Sequence, residues 1–383
     1  MNILYPIGAF YPSQLGGPNN TVYWMTKALQ AKGTSATIVT THRGIQDKQI
    51  QFDKWLDTDY GKINYLKVLH RKLPIKICIN SIAQLSKVDI VHLTSIFYSG
   101  SLPMALMSLL KGKKVIWSIR GELDPAALSF HSIEKKVILA VVKKISSKIT
   151  FHSTSDPETA YIKNTFGTKS AIVQLPNYME LPQQVNRKPE KYLFFIGRIH
   201  QIKGIDLLIK ALAKSQVFLN SKYILKIAGD DNTDFGIELK ALIKQLNINH
   251  KVELIGYVND QDEKQQLLAN AYFLFLPSHS ENFGNVVIEA LAQQTPVVAS
   301  KGTPWEVLET KQAGFWVENS VEKLSNTIDR ILNLDKKTYQ NYRINAGELV
   351  KKNYDIEQNI DKWITAYSNL ANNKSNLSLK NAR

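Results

Sequence analysis

With one cysteine, Cys78, in 383 residues, the chain cannot form an internal disulfide and suits a reducing compartment. Cys78 sits in the apolar run 75–82 and reads as a small buried hydrophobe rather than a nucleophile. No apolar run reaches the ~20 residues that cross a bilayer. No basic stretch precedes the apolar start MNILYPIGAF, which therefore reads as a first strand and not as a signal peptide. Internal repeats, recognisable nucleic-acid modules and a G-x-G-x-x-G turn are all missing. These absences set aside disulfide-stapled, membrane-spanning and repeat architectures, and point to a cytoplasmic globular protein.

What is present fits that class: 44% of residues are hydrophobic and 21% charged. A chain of 383 residues exceeds what one hydrophobic core usually serves, so two domains are expected. The net charge of +15 is uneven, since residues 1–185 hold 22 Lys/Arg against 11 Asp/Glu and residues 186–383 hold 26 against 22. A basic first half suits an anionic partner such as membrane lipid, nucleic acid or a phosphorylated acceptor. A merely solubilising surface would carry the same charge.

Short β-rich runs alternate with helical patterns along the whole chain, the signature of parallel sheets with crossover helices. MNILYPI, SATIVTTH, KINYLKVL, VDIVHLTS, KKVIWSIRG, KITFHSTS and SAIVQLPN read as strands, with helices over 20–32, 75–85, 102–110, 132–146 and 156–165. The polar NRKPE stretch at 186–190 reads as a linker. YLFFIGR, YILKIAGD, VELIGYV, YFLFLPS, TPVVAS and AGFWVE then form a second strand series, with helices between them and an amphipathic helix over 356–371. The expected fold class is α/β: two doubly wound, Rossmann-like domains over 1–185 and 186–355, facing each other across a cleft. Residues 356–383 are expected to be a helix returning to the first domain, followed by a frayed tail.

Three strand-to-helix corners carry the chemistry. In PSHSENFGNVVIEALA, a strand ends in a polar loop and a helix starts near Gly284 or Asn285. Ligands of open α/β sheets bind at such edges, beside helix N-termini that favour anions. Glu281 in the loop can meet sugar hydroxyls, Glu289 in the helix can take a ribose, and the amides of Phe283, Gly284 and Asn285 add donors. The pair of glutamates is equally compatible with a capping acid and a surface acid. In FIGRIHQIKGID, Arg198 and Lys203 put two cations at another corner, suited to a diphosphate whose charge grows as a sugar bond breaks. A solvated basic turn has the same composition. In QLGGPNN, Gly16 and Gly17 let phosphate oxygens approach backbone amides at a helix start.

Taken together, IGR-x4-KG-x-D, the later E-x-F-G-x4-EA, the TPVVAS strand, the early GG turn and the LPN at 175–177 resemble the retaining family 4 glycosyltransferases of the GT-B fold. The resemblance runs over essentially the whole chain. It implies that Arg198 and Lys203 bind the donor diphosphate, Glu281 meets the donor sugar, Glu289 grips the ribose and the Gly16-Gly17 amides touch phosphate. It also implies transfer with retention, in which the departing diphosphate helps deprotonate the acceptor, and no metal or other cofactor. Many family members carry His-Gly where this chain has Arg120-Gly121. Surface-polysaccharide (O-antigen or capsule type) members look similar here, with Arg-Gly and a TPWE like residues 303–306. Arg120 is therefore placed in the active site, on the donor-sugar or acceptor side; His131 is more simply structural.

Asp57-Thr58-Asp59 spells the D-x-D of metal-dependent glycosyltransferases, but in a polar turn with no strand end beneath it, so no metal is expected there. Asp230-Asp231 follows a strand and reads as a turn cap, with a contact to the donor as the alternative. Lys135, Lys136, Lys143, Lys144 and Lys148 surround an Ile/Val/Leu core over 132–149, as in an amphipathic helix at an anionic membrane surface; a core-facing helix with a solvated basic side has the same pattern. The partners expected are a UDP- or GDP-sugar, a lipid-linked glycan and the inner face of the cell membrane, without nucleic acid. A nucleotide-sugar epimerase or phosphorylase on the same fold is the rival reading, distinguished by needing no glycan acceptor.

Overall fold

The computed structural model describes residues 1–13, 17–47, 50–68, 74–128, 133–186 and 188–372. Contacts divide the chain into two units, Met1–Glu180 with Ile356–Arg383, and Leu181–Asp355. The first sheet is built from β1 (Asn2–Pro6), β2 (Ser35–Thr41), β3 (Trp55–Thr58), β4 (Gly61–Leu66), β5 (Ile90–Thr94), β6 (Lys114–Ser118), β7 (Ile149–Ser153) and β8 (Ala171–Gln174). Its order is β3-β4-β2-β1-β5-β6-β7-β8, and all pairs are parallel except β3–β4. Alternation assigns the faces. Ile3, Tyr5, Ile38 and Ile63 pack under the helices Gly17–Ala31 and Ile356–Ala371. Leu4, Val39, Val91 and Val115 point the other way, under Ile75–Ile82, Ser101–Leu110, Ile133–Ile145 and Asp156–Phe166. The last helix joins the first unit through Ile356, Ile360, Trp363 and Tyr367, all buried at helical spacing.

The second unit contains β9 (Tyr192–Ile196), β10 (Ile224–Ala228), β11 (Val252–Gly256), β12 (Phe273–Leu276), β13 (Val297–Ser300) and β14 (Gly314–Val317). They are all parallel in the order β11-β10-β9-β12-β13-β14. Chain direction across the sheet reverses between β9 and β12, so a crevice opens beyond their carboxyl ends. The same reversal lies between β1 and β5 in the first sheet. Both units are thus doubly wound.

Two local differences from the sequence reading have plain causes. Asp57 lies in the edge strand β3, opposite Lys62 of antiparallel β4, rather than in a turn. The hairpin closes because Gly61 adopts φ 120° where a Cβ would stand 2.4 Å from the Ala36 carbonyl oxygen. The 186–190 stretch is bonded into the second unit: Glu190 N donates to Asn270 O (2.7 Å), and nearby Val185 N donates to Gln293 Oε1 (2.8 Å). The division accordingly falls at residues 180/181 rather than 185/186. Among the described residues no helix is long and apolar enough to cross a membrane.

Candidate active site

The corner after β9 and the corner after β12 are tied into one structure at the reversal of the second sheet. His279 N donates to Ile202 O (2.8 Å), so the loop carrying Glu281 lies on the turn carrying Lys203. Gly204, at φ 62°, ends that turn and opens the helix Ile205–Lys214; a Cβ there would sit 2.1 Å from the Pro277 carbonyl oxygen. No other residue allows this approach. The result is a direct ion pair between the Lys203 ammonium and the Glu281 carboxylate, each side chain less than one-fifth exposed. Arg198, at the same corner, is exposed and has no hydrogen-bond or ion-pair partner among the described residues. One cation is thus tethered and one is available beside a carboxylate, which is a charge set for an anionic ligand with hydroxyls next to it.

The Glu281 loop is braced from below. Glu281 N donates to Gly302 O (3.0 Å), and Gly284 takes φ 79° to start the helix Asn285–Ala292. Phe283 is buried against Trp305 and Tyr354, with ring centroids 5.1 and 6.0 Å away. The wholly buried Trp305 donates its indole N–H to Phe283 O, while Trp316 Nε1 donates to Thr303 O (2.9 Å). Glu289, one turn into the helix, accepts from Lys264 Nζ at 2.6 Å, with side chains 12% and 19% exposed. The N-terminal amides of that helix remain the natural seat for a negative charge beside these groups.

In the first unit, Arg120 follows β6 in a left-handed conformation, φ 60°, which costs a residue with a Cβ roughly 1–3 kcal/mol. Its Nη1 donates to Asn177 Oδ1 at 2.6 Å, while its buried Nε has no hydrogen-bond partner. Burial lowers the guanidinium pKa, a shift that neighbouring Glu158 opposes. Glu158 is itself engaged, accepting from Gly121 N (2.6 Å) and Thr154 N (2.6 Å). Ser95 (φ 69°), at the end of neighbouring β5, is also left-handed. Half-buried Glu122 links these corners by accepting from Ser95 Oγ (2.6 Å) and Ile96 N (2.5 Å), and desolvation raises its pKa.

The family model for glycosyl transferases group 1 matches residues 179–349, the stretch holding Arg198, Lys203, Glu281 and Glu289. That match takes in most of the second unit, 171 of the 383 residues. The chain is 36% identical over 145 residues to an uncharacterized glycosyltransferase of Methanocaldococcus jannaschii, covering 37% of this chain and 36% of that one. It is 27% identical over 257 residues to the N-acetylgalactosamine-N,N'-diacetylbacillosaminyl-diphospho-undecaprenol 4-alpha-N-acetylgalactosaminyltransferase of Campylobacter jejuni, covering 62% and 67%. Across three of the matched relatives the chain spans from 36% to 58% of their length. Among solved structures, Anabaena Alr3699/HepE in complex with UDP and glucose shares the fold, with TM-score 0.73, 17% identity, and 96% and 100% coverage. The architecture is GT-B, two Rossmann-like units in one chain.

The remaining candidate residues lie in both units. Asp57 and Asp59 are exposed at a hairpin edge, and no cluster of three metal-ligating side chains occurs among the described residues. Asp231 is held by Lys240 at 2.7 Å, which lowers its pKa, and Asp230 Oδ1 caps Asn232 N (3.1 Å). Cys78 is half-buried rather than enclosed, and that burial raises its thiol pKa. Gly16 and His131 lie outside the described residues; Gly17 opens the helix Gly17–Ala31. Lys135 is not a solvated lysine: its ammonium donates to Ala127 O (3.3 Å) over the Phe97 ring. Lys264, Trp305 and the Asn177 contact to Arg120 are missed by reading the sequence. Lys264 carries no motif; Trp305 and Asn177 lie inside the TPWE and LPN strings, which gave them no partners.

Proposed function

We propose that the chain is a retaining glycosyltransferase that moves a sugar from a UDP- or GDP-linked donor to a hydroxyl of a lipid-linked glycan in surface-polysaccharide synthesis, without a metal ion. The observation that carries the reading is the Lys203–Glu281 pair beside exposed Arg198 at the strand reversal of the second sheet. In this reading the bond from the anomeric carbon to the diphosphate breaks, and a bond to the acceptor oxygen forms on the same face. The acceptor proton passes to the departing diphosphate oxygen. Arg198, Lys203 and the amides opening Asn285–Ala292 take up the leaving charge, as preorganised donors do. Glu281 accepts from sugar hydroxyls, Glu289 from the ribose, and Arg120 serves the donor-sugar or acceptor side. The complex of Alr3699/HepE with UDP and glucose, and the diphospho-undecaprenol in the Campylobacter relative's name, support the donor and acceptor classes.

Peripheral membrane binding belongs to the same reading. Ile75, Ile79, Leu110, Ile133 and Val137 are 56% to 82% exposed on three helices that cover one core cluster. Exposed Lys136, Lys143 and Lys144 flank the last two of these. Apolar side chains ringed by lysines suit an anionic leaflet. The deciding experiment is thermal unfolding with UDP, GDP and their sugars. A rise in midpoint with one nucleotide, lost in Arg198→Ala/Lys203→Ala, is expected; no rise with either at millimolar concentration overturns the reading.

A further inference from the structure

The first unit contains a chain of buried polar side chains that has no place in the proposed reaction as described so far. Tyr5 Oη lies 2.9 Å from Tyr367 Oη, which lies 2.6 Å from His92 Nδ1. His92 Nε2 is 2.7 Å from Ser118 Oγ, which is 2.8 Å from His152 Nδ1, and His152 Nε2 is 2.9 Å from Leu175 O. All five side chains are essentially inaccessible. Trp363 and Tyr367 of the last helix wall in the two imidazoles, with Trp363 4.7 Å from His152 and 5.4 Å from His92.

The direction of every link follows from its ends. Leu175 O can only accept, so His152 carries its proton on Nε2. Burial and the charge of Arg120 push the His152 pKa down to about 3, and burial takes His92 well below its usual range, so both rings are neutral. His152 Nδ1 is then bare and accepts from the Ser118 hydroxyl. With its only proton used, Ser118 Oγ accepts from His92 Nε2–H. His92 Nδ1 is bare in turn and takes the Tyr367 proton. The alternative acceptor for that proton, Met25 Sδ at 3.7 Å, is longer and weaker. Tyr367 oxygen finally accepts from Tyr5.

Leu175 is two residues from Asn177, the partner of Arg120 Nη1. His152 and Asn177 line one small cavity together with Arg120, Thr21, Tyr178 and Trp363. We propose that Tyr367, His92, Ser118 and His152 form a one-directional relay that positions Leu175–Asn177 and thereby aims the Arg120 guanidinium, making them positioning residues for transfer. The proposal rests on the role given to Arg120 above. It accounts for a left-handed Arg120 with an unpartnered Nε, since such strain persists only where the surroundings over-determine it.

The test uses the full chain with 15N-labelled histidine. Wild-type protein is expected to show His92 and His152 both protonated on Nε2 and bare on Nδ1. Tyr367→Phe removes one hydroxyl from the far end and should move the resonances of both rings. In the transfer assay it should lower kcat about tenfold at unchanged donor KM, because a small misplacement of an orienting group is costly. Tyr5→Phe, which removes only the outermost donor and threatens folding less, should act in the same direction with a smaller drop. Either ring protonated on Nδ1, a Tyr367→Phe spectrum in which only His92 moves, or unchanged kcat in both variants while Arg120→Lys is impaired overturns the relay. If Arg120→Lys itself turns over like wild type, the role of Arg120 falls, and the resonances still decide whether the relay exists.

Discussion

Lys203→Ala separates the chemical role of the second-unit corner from its structural one. Lys203 and Glu281 are each more than four-fifths buried and paired directly. Removing the ammonium leaves a mostly desolvated carboxylate without a cation. Fully buried pairs broken in this way lose about 3–5 kcal/mol, and the remaining exposure of Glu281 brings the expected loss to about 2–3 kcal/mol. For a unit of this size that is a fall of ~5–10 °C in unfolding midpoint. Turnover should fall a further ~10²–10³-fold, the usual consequence of losing one group that stabilises developing charge. The double variant Lys203→Ala/Glu281→Gln discriminates between the two effects. It removes the orphaned charge with an isosteric amide, so stability should return to within about 1 kcal/mol of wild type while turnover stays low. Chemical unfolding and steady-state transfer on wild type, Lys203→Ala, Glu281→Gln and the double variant complete the cycle. Wild-type stability in Lys203→Ala, or turnover restored in the double variant, would refute the reasoning.

Trp305→Phe removes the donor to Phe283 O and part of a fully buried side chain; a loss of about 2–4 kcal/mol is expected, with a raised donor KM because the Glu281 loop loses its brace. Chelation should leave transfer intact, and Asp57→Ala/Asp59→Ala should be silent; activity abolished by EDTA and restored by magnesium or manganese would contradict this. Lys136, Lys143 and Lys144 changed to Gln should weaken binding to anionic liposomes about a hundredfold, at ~1 kcal/mol per cation, with nucleotide affinity unmoved; equal co-sedimentation at moderate salt would refute the membrane face. Finally, His152 is neutral when folded and takes up a proton near pH 6.5 when unfolded. The unfolded state therefore binds more protons below that pH, and stability falls as the pH drops from 6.5; between pH 6.5 and 5 the loss is about 2 kcal/mol for His152 alone. Equal unfolding free energies of the first unit at pH 7 and pH 5 would exclude buried neutral histidines.

Much of the site's location was legible because it rests on local chemistry. A strand ending in IGR or FLPS, followed by glycine and a helical pattern, can make only a few corners, and Gly204 and Gly284 stand where the backbone needs a positive φ. Lys264 was not legible, because its partner Glu289 lies 25 residues away on another helix. Lys135 was misplaced among the solvated lysines for a similar reason: periodicity places a side chain on a helix face but does not say that Phe97 and Ala127 wait beneath it.

What the sequence determined by itself is the alternation of strand and helix, the corners where charged residues gather, and the family that those corners resemble. These depend on period, turn chemistry and residue type, which are properties of short stretches. The tertiary structure decided which corners meet. The reversal of strand order puts β9 beside β12, so residues 78 apart become the Lys203–Glu281 pair. The return of the last helix to the first unit puts Tyr367 on His92 across 275 residues. Such contacts arise when separate apolar faces are buried on a common sheet, and no local pattern encodes which faces those will be.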